Sequence, residues 1–273
     1  MIGKVRIAGV LLVLVSALLL AAGCGESVET GDLVILERSL DLVDVESVGA
    51  VIEMGAGKLA IGGGSGELMD AEFVYNVAEW KPEVTYQETG DRGTLTVRQR
   101  SGRGMSLGKR VRYEWDIQLN DEIPMDLDVE LGAGTGHLDL GSLSLKDLSI
   151  TAGAGEVTVL LTGHPQVRDL EVQVGAGDVT VDLTGDWKDD LDADIKGGVG
   201  RLTLRLPTNV GVRVDAEKGI GKVSAGSLVK KGGAYVNEAY GRSDVTLRID
   251  CAAGIGSIIL ETGSESDDSG VTI

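Results

Sequence analysis

Four arginines, Arg98, Arg100, Arg103 and Arg110, fall in a stretch with no carboxylate between Arg92 and Tyr113, on a chain whose formal net charge is −18. A guanidinium presents a rigid fork of donors that grips phosphate or carboxylate, so a strip of them could bind an anionic polymer, lipid head groups or an acidic protein partner. The same segment, residues 62–130, holds six of the nine aromatic residues: Phe73, Tyr75, Trp80, Tyr86, Tyr113 and Trp115. A structural alternative therefore stands beside the binding one, in which the arginines pair with nearby acids and the aromatics form a local core.

Other chemistry is thinly supplied. Asp126, Asp128 and Glu130 alternate with Leu127, Val129 and Leu131, and Asp192 and Asp194 alternate with Leu191, Ala193 and Ile195, as expected of solvated strand faces. No loop has the spaced oxygen ligands and glycine of a calcium motif, and His137 and His164 lack partners at zinc spacing, so no metal and no cofactor is expected. Asp186, Asp189 and Asp190 around Trp187 are the one acid and aromatic cluster on which a carbohydrate-cleaving enzyme could be built; solvating acids in a loop are the alternative. Cys251 keeps phase with Leu247 and Ile249 and reads as a buried small hydrophobe. The acidic balance argues against nucleic acid as a partner.

The elements that position these residues are set by a repeat. Gly-x-Gly occurs at Gly55, Gly132, Gly153, Gly175, Gly198, Gly219 and Gly254, with successive spacings of 21, 22, 23 and 21 residues from Gly132 to Gly219. In Leu170 to Leu183, apolar residues alternate through Leu170, Val172, Val174 and Ala176, then slip phase and resume at Val179, Val181 and Leu183. Period two on both sides means two strands with one buried face; the slip marks a glycine corner, with the middle residue of each triplet expected to point inward. Ala133 to Leu138 departs from this step through a Thr135-Gly136 insertion. The expected fold is all-β: a parallel β-solenoid, like a single-stranded β-helix, of coils of about 22 residues stacked at roughly 4.8 Å, with a small antiparallel β cap inserted near its N-terminal end. Gly90-Asp91-Arg92-Gly93 suits a hairpin turn in that insert.

The N-terminal module differs in kind. Lys4 and Arg6 precede an apolar run from Ile7 to Ala22, short for a bilayer span and shaped like an export signal. Leu20-Ala21-Ala22-Gly23-Cys24 resembles the lipobox of bacterial lipoproteins, which implies cleavage before Cys24, a lipid on its thiol, and a protein held at the membrane on its extracytoplasmic side; an uncleaved anchor is the alternative. The expected organisation is a signal peptide over 1–23, lipidated Cys24 with a tether over 24–32, an N-terminal region over 33–130, repeats over 131–262 and an acidic tail over 263–273, whose acids with Glu261 would discourage end-to-end stacking.

The Gly-Ala-Gly repeats, Ile61-Gly62-Gly63-Gly64, Ile123-Pro124 leading into Leu127-Asp128-Val129-Glu130-Leu131-Gly132, and Gly232 to Gly241 with Tyr235, Asn237 and Tyr240 together resemble the toast-rack bacterial envelope proteins. These are related to the C-terminal domain of LiaF-like cell-wall-active antibiotic response proteins. The resemblance implies a β-solenoid outside the membrane, no defined catalytic residues and a link to envelope stress. The expectation is a non-enzymatic, lipid-anchored module that binds or senses an anionic envelope polymer or an envelope protein. A structural or adhesin-like spacer is the alternative.

Overall fold

A computed structural model describes residues 29–42, 44–100, 111–163 and 165–263. The expectations for residues 1–23, Cys24, Arg103, Arg110, His164, Glu265, Asp267 and Asp268 lie outside the described residues.

Alternation of apolar and polar side chains produces strands almost throughout. They are β1 (Val34–Leu40), β2 (Ser47–Ser65), β3 (Met69–Tyr75), β4 (Pro82–Thr89), β5 (Arg92–Gln99), β6 (Tyr113–Asn120) and β7 (Met125–Asp139). Then follow β8 (Leu145–Leu160), β9 (Asp169–Asp182), β10 (Leu191–Leu206), β11 (Gly211–Ser224), β12 (Val229–Lys231), β13 (Ala234–Val236) and β14 (Thr246–Thr262). All fourteen join one open, mostly parallel sheet, and the helical content among the described residues is a single 3-10 turn at Ala78–Trp80. Residue 130 lies inside β7, so the sheet runs unbroken from the N-terminal region into the repeats.

Each long strand bends at its Gly-x-Gly triplet into two arms that enclose the core. Ile52, Val129, Ile150, Val172, Ile195 and Cys251 line up across neighbouring strands of one arm. Ile61, Leu138, Val159, Val181, Leu204 and Leu260 do so on the other. All twelve are buried, and each of the eleven that are Val, Leu or Ile contributes roughly 1.5–3 kcal/mol if fully removed from water. The corners are in register as well: Gly57, Gly134, Gly155, Gly177, Gly200, Gly256 and Gly221 stack along the sheet, all at positive φ.

Two details of the expected corner are corrected. The middle residues Ala154, Ala176, Val199, Ile220 and Ile255 are exposed, and Ala56 alone is fully buried. The inside of the bend is already filled by the flanking pair, such as Val174 and Val179, so the residue between the glycines rides on the convex side. Nor is there an insertion at Thr135-Gly136: Gly136 pairs with Leu59 and Val157 and occupies the inward position that they hold.

At the N-terminal end the sheet forks. The first arm of β2 pairs with β5 and its second arm with β6, both parallel, while β4 on β5, β3 on β6 and β1 on β3 add antiparallel strands. The insert thus continues the sheet. Gln99 accepts hydrogen bonds from the backbone N–H groups of Gly55 (2.8 Å) and Ala56 (3.4 Å), satisfying the corner donors of the first long strand. The aromatics form the core of this region: Trp115 stands edge-on to Phe73 at 5.4 Å, and Tyr113 donates to the carbonyl of Trp80 at 2.6 Å.

The other end departs from stacking in chain order. β14 lies between β10 and β11, parallel to both, so the last strand of the chain is internal to the sheet. Glu261 consequently faces Arg205 of β10 at 3.8 Å and does not guard a terminal edge. Asn237 holds the resulting crossover. Its amide donates to Val210 (2.7 Å) and Pro207 (3.1 Å), and its oxygen accepts from the N–H groups of Val212 and Tyr240, both at 3.0 Å.

Candidate functional site

Parallel, in-register pairing turns a residue that recurs in each repeat into a row. Asp126, Asp147, Asp169 and Asp192 align across β7 to β10, and a second row runs through Asp128, Ser149, Glu171, Asp194 and Asp250. Between them the outer face of the sheet forms a groove of about 770 Å³. Neighbouring strands are about 4.8 Å apart, so like charges crowd along each row. Partial loss of hydration, then Asp126 and Asp169 on either side, raises the pKa of the exposed Asp147 above the ordinary aspartate value. Cations close the first row at both ends: Arg92 donates to Asp126 at 2.7 Å, and Arg248 reaches Asp190 at 3.0 Å and Asp192 at 3.8 Å.

The arginines singled out in the sequence lie elsewhere. Arg98 and Arg100, on β5 and just beyond it, both donate to the single carboxylate of Glu83, at 3.1 and 2.7 Å. Hydrogen bonds from Arg100 and then Arg98 hold that carboxyl below its usual value. Both side chains stay more than half exposed, and one carboxylate leaves the pair with a net positive charge. The neighbouring Arg112 is held by Glu114 at 3.1 Å.

The acid and aromatic cluster around Trp187 has structural work. Trp187 is buried and donates to the carbonyl of Leu183 at 2.8 Å. Asp186 pairs with Lys188, Asp189 with Arg168, and Asp190 accepts from the backbone N–H of Thr246 as well as from Arg248. Cys251 is buried in the core, and loss of hydration followed by the charges of Asp250 and Asp215 pushes its thiol up to about 12. It is therefore an uncharged packing group, not a nucleophile. Among the described residues no group of three or more His, Cys, Asp or Glu is placed to hold a metal ion. Asp147 and Asp169 were missed in the sequence because the first precedes its strand's clear alternation by one residue and the second opens β9; only their register reveals the row.

The sequence model for the N-terminal domain of toast_rack, DUF2154, matches residues 26–166 and 164–205. The chain belongs to the toast-rack family. A solved structure with the same fold is that of a candidate cell adhesion protein from Clostridium sporogenes ATCC 15579. It is 30% identical, the alignment covers 85% of this toast-rack chain and 100% of that one, and the TM-score is 0.66. A candidate adhesin from Parabacteroides merdae ATCC 43184 is 12% identical, with 84% and 96% of the two chains covered and a TM-score of 0.33. No curated protein matches this toast-rack chain.

Proposed function

We propose that this toast-rack protein is a non-enzymatic binding module of the bacterial cell surface, held to the membrane by a lipid on Cys24 and acting through contact. Its body is read as a β-solenoid of coils of about 22 residues, the spacing at which the Gly-x-Gly corners stack. The observation that carries the proposal is the match, across the full length of that protein, to the candidate cell adhesion protein.

The geometry agrees with contact more than with catalysis. A hydrolase of the two-carboxylate type needs an acid and a base facing each other across the bond they break. Here the carboxylates form rows along one face, an arrangement suited to an extended cationic segment of an envelope protein. A link to envelope stress belongs to the same proposal and rests only on the sequence resemblance to LiaF-like proteins.

The test has two arms in the native cell. Protease added to intact cells should degrade the protein, and Cys24→Ala should release it from the membrane and abolish incorporation of labelled fatty acid. Purified full chain should also capture envelope proteins in a salt-sensitive manner, with capture lost when Asp126, Asp169 and Asp192 are changed to Asn. A protein shielded from protease in intact cells would overturn the surface assignment. Turnover of a glycan or peptide by the purified chain would overturn the non-enzymatic one.

A further inference from the structure

We infer that the corner ridge at the C-terminal end of the sheet docks on an anionic lipid surface. Two changes coincide there. In the earlier strands the residue between the corner glycines is alanine: Ala56, Ala133, Ala154 and Ala176. In β10, β14 and β11 it becomes Val199, Ile255 and Ile220, which lie side by side in register and are 52%, 51% and 73% exposed. Just past the second glycine, the same three strands carry a change of charge. The position that is Lys58 in β2, Thr135 in β7, Glu156 in β8 and Asp178 in β9 becomes Arg201, which pairs with Asp178 at 3.2 Å, then Ser257 and Lys222 in β10, β14 and β11.

Around Ile220 the local sequence is Lys218-Gly219-Ile220-Gly221-Lys222, a basic residue on each side of the most exposed large hydrophobic side chain among the described residues. Among the described residues neither Lys218 nor Lys222 has an ion-pair partner. On a chain of net charge −18, two unpaired lysines bracketing an apolar row form a local reversal of the molecule's chemistry.

The combination selects the partner. A soluble polyanion rewards the lysines but gains nothing from three β-branched side chains standing in water. A neutral protein surface would reward the apolar row and not the cations. An anionic bilayer rewards both, because apolar side chains enter the boundary of the acyl region while ammonium groups meet the lipid phosphates. The shape fits too: the row lies on the convex side of the bend, so a plane can touch it without meeting either arm. The inference is independent of the adhesion reading, since purified protein can dock on lipid whether or not the surface assignment holds, and can fail to dock while still adhering.

The native tryptophans are all buried, which makes a new indole a local reporter. Full-chain protein carrying Ile220→Trp is mixed with vesicles whose acyl chains bear bromine. One set contains phosphatidylglycerol and phosphatidylcholine in equal parts, the other phosphatidylcholine alone. Because quenching is local, attachment through residues 1–24 does not produce it. The expected result is strong quenching of the new indole on the anionic vesicles, weakened about tenfold in apparent affinity by Lys218→Gln with Lys222→Gln, and abolished by high salt. Absence of quenching on anionic vesicles overturns the inference. So does equal quenching on phosphatidylcholine alone, or full displacement by free polyphosphate in the Ile255→Ser variant with unchanged affinity, which would assign the lysines to a soluble polyanion.

Discussion

Gly134 sits on Gly57 so closely that a Cβ on Gly134 would overlap the Gly57 carbonyl oxygen, and its φ of 132° lies where side chains are strained. Two residues on, Gly136 takes an inward position with ordinary backbone geometry, and a Cβ there would meet Leu131 at 3.5 Å and Val157 at 3.8 Å, normal packing distances. Two Gly→Ala changes two residues apart should therefore have opposite signs. Gly134→Ala should cost about 3 kcal/mol or more through strain and backbone overlap. Gly136→Ala should stabilise by about 0.4–1 kcal/mol by restricting the unfolded chain. Denaturant midpoints of the two variants check this.

Asn237 satisfies four backbone groups around the crossover that lets β14 enter between β10 and β11. Asn237→Asp keeps the size and the accepting oxygen but replaces the donor with a carboxylate facing the Val210 and Pro207 carbonyls. The expected loss is about 2–4 kcal/mol, from two unmet acceptors and a misplaced charge. Hydrogen exchange should locate the damage in β11 and β14, with β7 and β8 unaffected.

How much of this was legible in the sequence depended on whether a feature repeats. Val172 and Val181 announce their buried positions by period-two alternation, and the structure buries both. Ile220 and Ile255 misled, because an apolar residue between glycines looks inward-facing until the bend is seen to be filled by its neighbours. The place of β14 was not legible at all. Its strand pattern equals that of β10 and β11, and only the pairing of Leu191 with Leu247 and of Val212 with Leu247 sets its position between them. Of the candidate site, the charges of Arg98 and Arg100 were visible, whereas their common partner Glu83 required the hairpin register that sets Glu83 opposite Arg98.

Glu83 is the one acid shared by Arg98 and Arg100 in the described structure. If these arginines form an anion-binding site, Glu83→Gln should strengthen salt-sensitive binding of polyphosphate by several-fold, since it frees two guanidinium groups from a competing carboxylate. Replacing both arginines with Gln in that background should return binding to the baseline. Calorimetric titration at two salt concentrations checks this, and an unchanged affinity in Glu83→Gln would give the pair a purely structural role.

Asp147 stands between Asp126 and Asp169, and Arg92 reaches only the first of these. Its pKa is raised in the folded protein by partial loss of hydration and by both neighbours, so folding favours its protonated form. A group whose folded pKa exceeds its unfolded one makes the fold bind more protons, and stability then falls as pH rises through that folded value. Above its folded pKa, Asp147 carries a charge that Asp126 and Asp169 on either side disfavour, and the row opposes folding. Asp147→Asn removes the middle charge and should stabilise the protein there, by no more than about 1 kcal/mol because the row is solvent-screened. Below the ordinary aspartate pKa the wild-type residue is protonated in both states, and the advantage of the variant should vanish. Melting temperatures of the two proteins, compared across that range, should converge in acid and diverge towards neutrality. Parallel curves would mean that the row does not repel itself.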